Sequence, residues 1–437
     1  MRVNFYTLGC KVNQNETGAL AQLFESNGYT VVEAGEEADV YVVNSCTVTN
    51  FGDQKSRKWL RRQKREHPQA VTVLTGCYPQ AFPEEAAAIR EADVVTGSGN
   101  RRAILQDVEK VLHGEQERVV DIRPHHKGEA FEELPMDKFA DHTRAFVKVE
   151  DGCNRQCAYC VIPRARGPVR SRSEASILEE LHRLAGAGYR EVVLTAISLP
   201  SYGSDTGTDL AELVEHAAAV PGIERIRLGS LDPDMLTESA IRRLAAVPQL
   251  CPQFHLSLQS GCSKTLRAMR RPYTTEQYAD IARRLREAFA PTPVSLTTDV
   301  IVGFPGETEE DFEESLRFVL SQRFLKVHVF PYSRRSGTPA FDFPDQIPEH
   351  EKEARSRRMN RAVEAVRAEE AAAMQGWRTP VLLETPLSQT LFTGYTPQYL
   401  PVYVSAPGHR SGDIVPVILG EWDGQHCHAA LAPCENG

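Results

Sequence analysis

The chain has few cysteines, no long apolar run and no excess of positive charge, and each shortage removes a class of protein. Ten cysteines in 437 residues are too sparse for a disulfide scaffold, which leaves the sulfurs as thiols for metal or redox chemistry. No apolar stretch approaches the roughly 18 residues a membrane span needs. The opening MRVNFYTLGCKVNQ turns polar too soon for a secretory signal, so the expected location is the cytoplasm. A net charge of −9 argues against indiscriminate nucleic-acid binding but leaves local basic patches open. What remains, 41% hydrophobic and 25% charged, is ordinary globular material with room for two or three cored domains.

The densest chemistry lies in residues 150–168, EDGCNRQCAYCVIPRARGP, where Cys153, Cys157 and Cys160 are separated by three and then two residues. Three thiolates on one loop give three ligands where structural zinc takes four. Soft thiolates in threes suit an iron–sulfur cubane with one iron left open. The competing reading is a zinc knuckle with a distant fourth ligand, yet no partner Cys-x-x-Cys follows downstream. Just beyond, Arg164, Arg166, Arg170 and Arg172 form a row suited to backbone phosphates. The plainer alternative is that they cap loop carbonyls.

Upstream, apolar runs at 3–8, 40–43 and 71–74 alternate with helical stretches at 13–27, 52–66 and 83–91, the pattern of a parallel sheet with helices on its faces. Each run ends within three residues of a cysteine: Cys10, Cys46 and Cys77. The carboxyl ends of parallel strands share one edge, so three thiols converge there without a local motif. The alternative is that each is a small buried hydrophobe. Residues 55–65, KSRKWLRRQKR, carry seven basic residues and no acid, as a solvated helix face or a surface for a polyanion. Breakers between His113 and His142 read as a linker, with His125 and His126 solvated.

From 139 to 369, six apolar strand candidates alternate with helices, implying an α/β barrel or part of one. Polar residues mark strand ends at Gln259 and Asp299, and Arg271 follows. From 374 onward, short β-like runs broken by Gly and Pro suggest a small antiparallel barrel. From residue 376 it has two basic residues against five acidic, a poor electrostatic footprint for RNA. It would grip through Tyr395, Tyr399 and Tyr403, or mainly contact the rest of the chain. The spacing of His426, Cys427, His428 and Cys434 supports no metal site.

CNRQCAYC, with Tyr159 as the aromatic before the third cysteine, resembles the CxxxCxxC motif of radical S-adenosylmethionine (SAM) enzymes. LGCKVNQNET, NSCTVT and TGCYPQ resemble the three cysteine motifs of their methylthiotransferase branch, and GYTPQYLPV and GDIVPV resemble a TRAM domain. The resemblance implies an α/β protein: an N-terminal open parallel sheet domain (1–114), a linker (115–138), a partial (βα)6 radical SAM barrel (139–369) and a TRAM-like barrel (374–437). It implies two [4Fe-4S] clusters as cofactors. One on Cys153, Cys157 and Cys160 would bind SAM, and one on Cys10, Cys46 and Cys77 would carry or supply the inserted sulfur. SAM contacts carry over to Tyr159, to Gln259 and Asp299 at the ribose, to Arg271 at the carboxylate, and to Ile301 and Gly303 at the adenine.

LGCKVNQ together with FHLSLQSGC looks like the group acting on N6-threonylcarbamoyladenosine beside the tRNA anticodon. The sister groups act on N6-isopentenyladenosine in tRNA or on an aspartate of a ribosomal protein. In that family a 5′-deoxyadenosyl radical activates C2 of the adenine for transfer of the methylthio group. The implied partners are the tRNA anticodon stem-loop, an electron donor and a sulfur source, with no membrane and no DNA. One departure is LTAISLPSYG, where the branch reads LTGIHLSSYG, and no role is assigned to that loop.

Overall fold

The computed structural model describes residues 1–134, 136 and 143–433. The expected boundary at 138 and 139, and Cys434, lie outside the described residues. Strands Val40–Ser45 and Val71–Gly76 are buried at every position, as central parallel strands covered on both faces must be. Alternate side chains go to opposite layers. Val40 and Val42 pack with Leu20 and Phe24, and Val43 packs with Leu60 and Leu74. The sheet runs Thr30–Val32, Arg2–Thr7, Val40–Ser45, Val71–Gly76, Val94–Thr96, Val119–Asp121, all parallel. Chain order reverses between Arg2–Thr7 and Val40–Ser45, and such a switch opens a crevice at the carboxyl ends. Three strands of this sheet are only three residues long, too short to show a period in sequence. Val119–Asp121 corrects the linker, because the segment expected to connect domains contributes the sheet's edge strand.

The central region supplies Arg144–Asp151, Glu191–Ala196 and Arg225–Leu228 to one parallel set, and Ser230–Leu231, Gln253–Leu256, Ser295–Val302 and Lys326–Pro331 to another. A bridge from Ile226 to Leu250 joins them, and Gly229 breaks the third of six strands in two. Helices Glu174–Gly186, Leu210–Ala218, Thr275–Ala288 and Glu309–Ser321 pack outside in one continuous core. The inner face differs. Asp299 and Ile301, with their register neighbours His328 and Phe330, retain partial exposure, while the alternating Thr298, Val300 and Val302 are buried. The open barrel therefore leaves a lumen lined by polar and apolar groups alike.

Helix Glu349–Ala373 leads to a closed five-stranded barrel of Arg378–Pro386, Leu391–Tyr395, Pro401–Ser405, Cys427–Leu431 and Ile414–Trp422, in that spatial order. It is not wholly antiparallel: Pro401–Ser405 pairs in parallel with Cys427–Leu431. Five strands cannot alternate direction around a closed ring, so one pair has to be parallel. Tyr395 and Tyr399 stack at 4.5 Å and receive the Arg144 guanidinium at 5.1 and 5.2 Å. Arg227 donates to the carbonyls of Thr396 and Pro397 at 2.6 and 2.8 Å. These two tyrosines thus fasten the barrel to the central region, whereas Tyr403 stacks on His426 at 4.0 Å.

Candidate active site

Cys10, Cys46 and Cys77 sit on the crevice edge of the first sheet, each directly after or within three residues of a strand end. Gly9 has φ +115°, and a Cβ there would lie 2.9 Å from Cys46 Cβ and 3.2 Å from its Sγ. Only glycine lets these loops meet so closely. Asn13, in the first turn of helix Lys11–Ser26, ties them together. Its Nδ2 donates to the carbonyls of Leu8 and Ser45 at 2.8 and 3.0 Å. Its Oδ1 lies 3.7 Å from Cys10 Sγ and 4.0 Å from Cys77 Sγ.

The second triad lies on the loop leaving strand Arg144–Asp151. Backbone bonds shape it, with Cys153 N–H donating to Gly167 at 2.9 Å, Ala158 N–H to Met269 at 2.9 Å and Cys160 N–H to Cys157 at 3.1 Å. Arg271 Nη1 lies 3.3 Å from Cys157 Sγ, while its Nε donates to the Tyr273 hydroxyl at 2.9 Å and its Nη2 pairs with Asp232. Burial pushes Cys46 and Cys160 up to about 12 and Cys153 up to about 11. These sulfurs are therefore thiols until a cationic centre takes them. Among the described residues no three His, Cys, Asp or Glu side chains surround a point for one metal ion. Two sets of three thiols, free of imidazole or carboxylate, fit clustered iron better than a single tetrahedral ion.

The two loops touch. Arg166 closes helix Ile162–Arg166, just after Cys160, and is fully buried. Its Nε lies 3.2 Å from Cys77 Sγ and its Nη2 donates to Asn13 Oδ1 at 2.8 Å. The same guanidinium reaches Glu16 at 3.0 Å and Asp151 at 3.3 Å. Lys148 joins those two acids at 2.7 and 2.6 Å, and Arg101 reaches Glu16 at 2.7 Å. Burial alone would raise Glu16, yet Arg101, Arg166 and Lys148 hold it down at about 2. Val161 and Ala165 pack in one apolar cluster with Val43, Leu74, Cys77 and Tyr78.

Residues 147–319 match the Radical SAM superfamily, and residues 2–97 match a group described as uncharacterized protein family UPF0004. Over 421 residues the chain is 39% identical to threonylcarbamoyladenosine tRNA methylthiotransferase MtaB of Bacillus subtilis, covering 95% of this chain and 93% of that one. The chain belongs to the radical SAM methylthiotransferase family. It is 40% identical to MtaB of Aquifex aeolicus, over 82% of this chain and 86% of that one. It is 36% identical to tRNA-2-methylthio-N(6)-dimethylallyladenosine synthase of Pelotomaculum thermopropionicum, over 86% and 85%. In fold it is similar to the radical SAM methyltransferase TsrM of Kitasatospora setae, with TM-score 0.55 and 15% identity over 78% of this chain and 73% of that one.

Several residues of this methylthiotransferase differ from their sequence expectations. Arg166, Arg170 and Arg172 are buried and matched to Glu16, Asp151 and Glu180, so of the expected phosphate row only Arg164 is exposed. Glu16 lies far away in sequence, and Asp151 and Glu180 lie outside the row itself, which made it look unpaired. Arg271 lies beyond helix Ser263–Ala268 with its fork already engaged by Asp232 and Tyr273. Gly303 is buried, and the group crowding it is Lys352, whose Cγ would lie 2.4 Å from a Cβ. His125 is not solvated: it bonds Ser98 at 2.8 Å and Glu129 at 2.8 Å.

Asp299 and Ile301 face the lumen, with Asp299 3.4 Å from His255 Nε2. Gln259, at φ +73°, links their backbones at 2.9 and 2.8 Å. Tyr159 packs beside Ala158, Met269 and Phe304. Sequence reasoning missed Asn13, Glu16, Lys148 and Asp151. The signals were available: Asn13 and Glu16 recur at helical spacing after Cys10, and Lys148 interrupts an apolar strand.

Proposed function

We propose that this methylthiotransferase adds a methylthio group to C2 of N6-threonylcarbamoyladenosine beside the anticodon of tRNA, in the cytoplasm. Relatives at 35–40% identity that bear this activity in their names support the substrate. The carrying observation is Arg166, which reaches from the Cys160 loop to Cys77 and so supports a reading in which the two cysteine-bearing loops act together. Cys153, Cys157 and Cys160 would hold one [4Fe-4S] cluster, and Cys10, Cys46 and Cys77 the other. When bound, these clusters would supply the electron that cleaves SAM and the site where sulfur is held for transfer.

The chain's own groups do the positioning. Arg271, anchored by Asp232, fixes the Cys157 side of the loop. Arg166 sets a guanidinium against Cys77, where it stabilises negative charge on sulfur. Asp299, Ile301 and Gln259 line the lumen where SAM would lie. An anticodon loop already offers unpaired bases, so an adenine enters such a lumen without a duplex being melted. Exposed Lys55, Lys58, Arg61, Arg62 and Arg65 on helix Asn50–Glu66, together with Arg164, would meet the loop phosphates. An electron donor and a sulfur source complete the cycle.

The test is nucleoside analysis of tRNA from a strain lacking the gene. The reading predicts loss of 2-methylthio-N6-threonylcarbamoyladenosine, with the dimethylallyl derivative retained. The reverse pattern would assign the chain to the substrate of the Pelotomaculum relative.

A further inference from the structure

Strand Lys326–Pro331 ends at the rim of the barrel, and the segment after it clasps the loop that follows Cys46. Asn50 N–H donates to Ser333 Oγ at 3.2 Å, and Asn50 Nδ2 donates to the Arg334 carbonyl at 2.9 Å. Arg335, only 2% exposed, reaches Thr47 Oγ1 and Asp53 Oδ2 at 2.6 Å each and also bonds Asn50. The start of helix Asn50–Glu66 is thereby fixed against Cys46, so closely that a Cβ on Gly52 would lie 3.3 Å from the Cys46 carbonyl oxygen.

Apolar groups gather on the outside of this clasp. Among the described residues seven large hydrophobic side chains are exposed, and three of them, Val48, Phe51 and Phe330, lie within three residues of it. Phe51 is 63% exposed, and the Lys55 ammonium sits 4.5 Å from its ring centre. The helix anchors itself through Asp53, Ser56 and Leu60, all buried on the opposite side, so Phe51 contributes little to that packing. Phe51, Lys55, Lys58, Arg62 and Arg65 recur instead at steps of four and three, which sets them on one exposed stripe about 21 Å long. Glu66, 3.0 Å from Arg62 and 3.6 Å from Arg65, stands at its far end. An aromatic ring held beside Cys46 and continued by a row of cations is the layout of a surface for single-stranded nucleic acid.

We infer that Phe51 stacks on an unpaired base of the anticodon loop next to the modified adenosine. The inference rests on the proposed RNA substrate and adds how that RNA is oriented, with its loop at Cys46 and the adjoining strand along the helix. RNA supplies both what the ring takes and what the cations take: a flat π face for Phe51 and a polyanion for the stripe. The clasp matters here because a ring on a fixed segment loses little freedom when a base covers it.

The experiment uses the full chain, anaerobically reconstituted, and a synthetic anticodon stem-loop carrying N6-threonylcarbamoyladenosine. Binding is read by fluorescence anisotropy over a series of salt concentrations. Phe51→Ala is expected to weaken binding by about tenfold, within the range of one lost base stack. The slope of log affinity against log salt should stay at its wild-type value, whereas Lys58→Ala should lower it by about one. Phe51→Trp should bind as well as wild type or better, and Phe51→Leu, apolar but not planar, should bind as poorly as Phe51→Ala. A second set of stem-loops places an abasic site at each loop position in turn. At one position beside the modified adenosine, the abasic loss and the Phe51→Ala loss should not add. Unchanged affinity in Phe51→Ala, full affinity in Phe51→Leu, or additive losses at every position would overturn the stacking role. Wild-type protein that binds a fully paired hairpin of equal length as tightly as the stem-loop would instead count against an anticodon-loop substrate. Iron content checks that the Cys46 loop is intact, and should Phe51→Ala lose iron, the comparison of Phe51→Trp with Phe51→Leu decides.

Discussion

Cys153, Cys157 and Cys160 share one loop, closed by bonds within residues 153–167 and fastened at Ala158 to Met269 and Ala340, whereas Cys10, Cys46 and Cys77 meet only because three separate strands end on one sheet edge. The first triad is local in sequence, its three ligands lying within eight residues. The second is a tertiary object, held by Gly9, Asn13 and Arg166, and it exists only when the whole first sheet is folded and docked. The difference teaches where each half of the chemistry is vulnerable. The local triad fails by losing a ligand, and the assembled one fails also by losing a contact far from any ligand.

The largest effects test whether the halves are separable. Cys157→Ala should abolish both 5′-deoxyadenosine formation and methylthiolated product. Cys46→Ala should abolish product while 5′-deoxyadenosine still forms, and each variant should lose about four irons. Iron assay and chromatography of the reaction read all three quantities. If Cys46→Ala also stops SAM cleavage, the halves are not independent.

Arg166→Met attacks the assembled triad without touching a cysteine. It removes one cation from a buried network in which Glu16 keeps Arg101 and Lys148 and Asp151 keeps Lys148 and Arg170, and breaking a buried ion pair costs up to about 3–5 kcal/mol. Denaturant titration should register that loss, with Arg166→Lys recovering part of it. Iron bound by Cys10, Cys46 and Cys77 should fall more than iron bound at the other loop.

A milder probe of the same latch is acid. Glu16 is held at about 2 in the folded protein against an ordinary 4.5, and Asp151 is depressed in the same direction by Lys148, Arg166 and Arg170 against the opposing effect of burial. Depressed carboxyls stabilise fully above their unfolded values, and that stability is lost as pH falls through the folded value. Stability should therefore decline from about pH 4.5 towards pH 2, and Glu16→Gln should flatten that slope in a pH series of denaturation curves.

The same contrast explains what could be read before the structure. Spacing alone marked the loop triad, because its ligands are neighbours in sequence. The other triad was legible only through topology, from the rule that parallel strands share a carboxyl edge. Arg166, Arg170 and Arg172 were misjudged for the matching reason: a run of cations declares its charge in sequence, but its buried partners Glu16, Asp151 and Glu180 are brought to it only by folding. The edge strand Val119–Asp121 was hidden by its length, and the parallel pair in the C-terminal barrel by the fact that closure is not written in any single strand.

Arg164 offers the smallest effect and the cleanest contrast with Arg166, two residues away on the same short helix. Its guanidinium lies over the Phe82 ring at 5.5 Å and its side chain is exposed. A surface cation of this kind is worth no more than about 0.5 kcal/mol to the fold. Arg164→Ala should accordingly leave the denaturation midpoint and iron content in place. If Arg164 meets a loop phosphate, the variant should weaken binding to every tRNA alike and reduce the slope of log affinity against log salt by about one. A loss confined to one tRNA would mean that Arg164 reads a base, and an unchanged slope would move the phosphate contact to helix Asn50–Glu66.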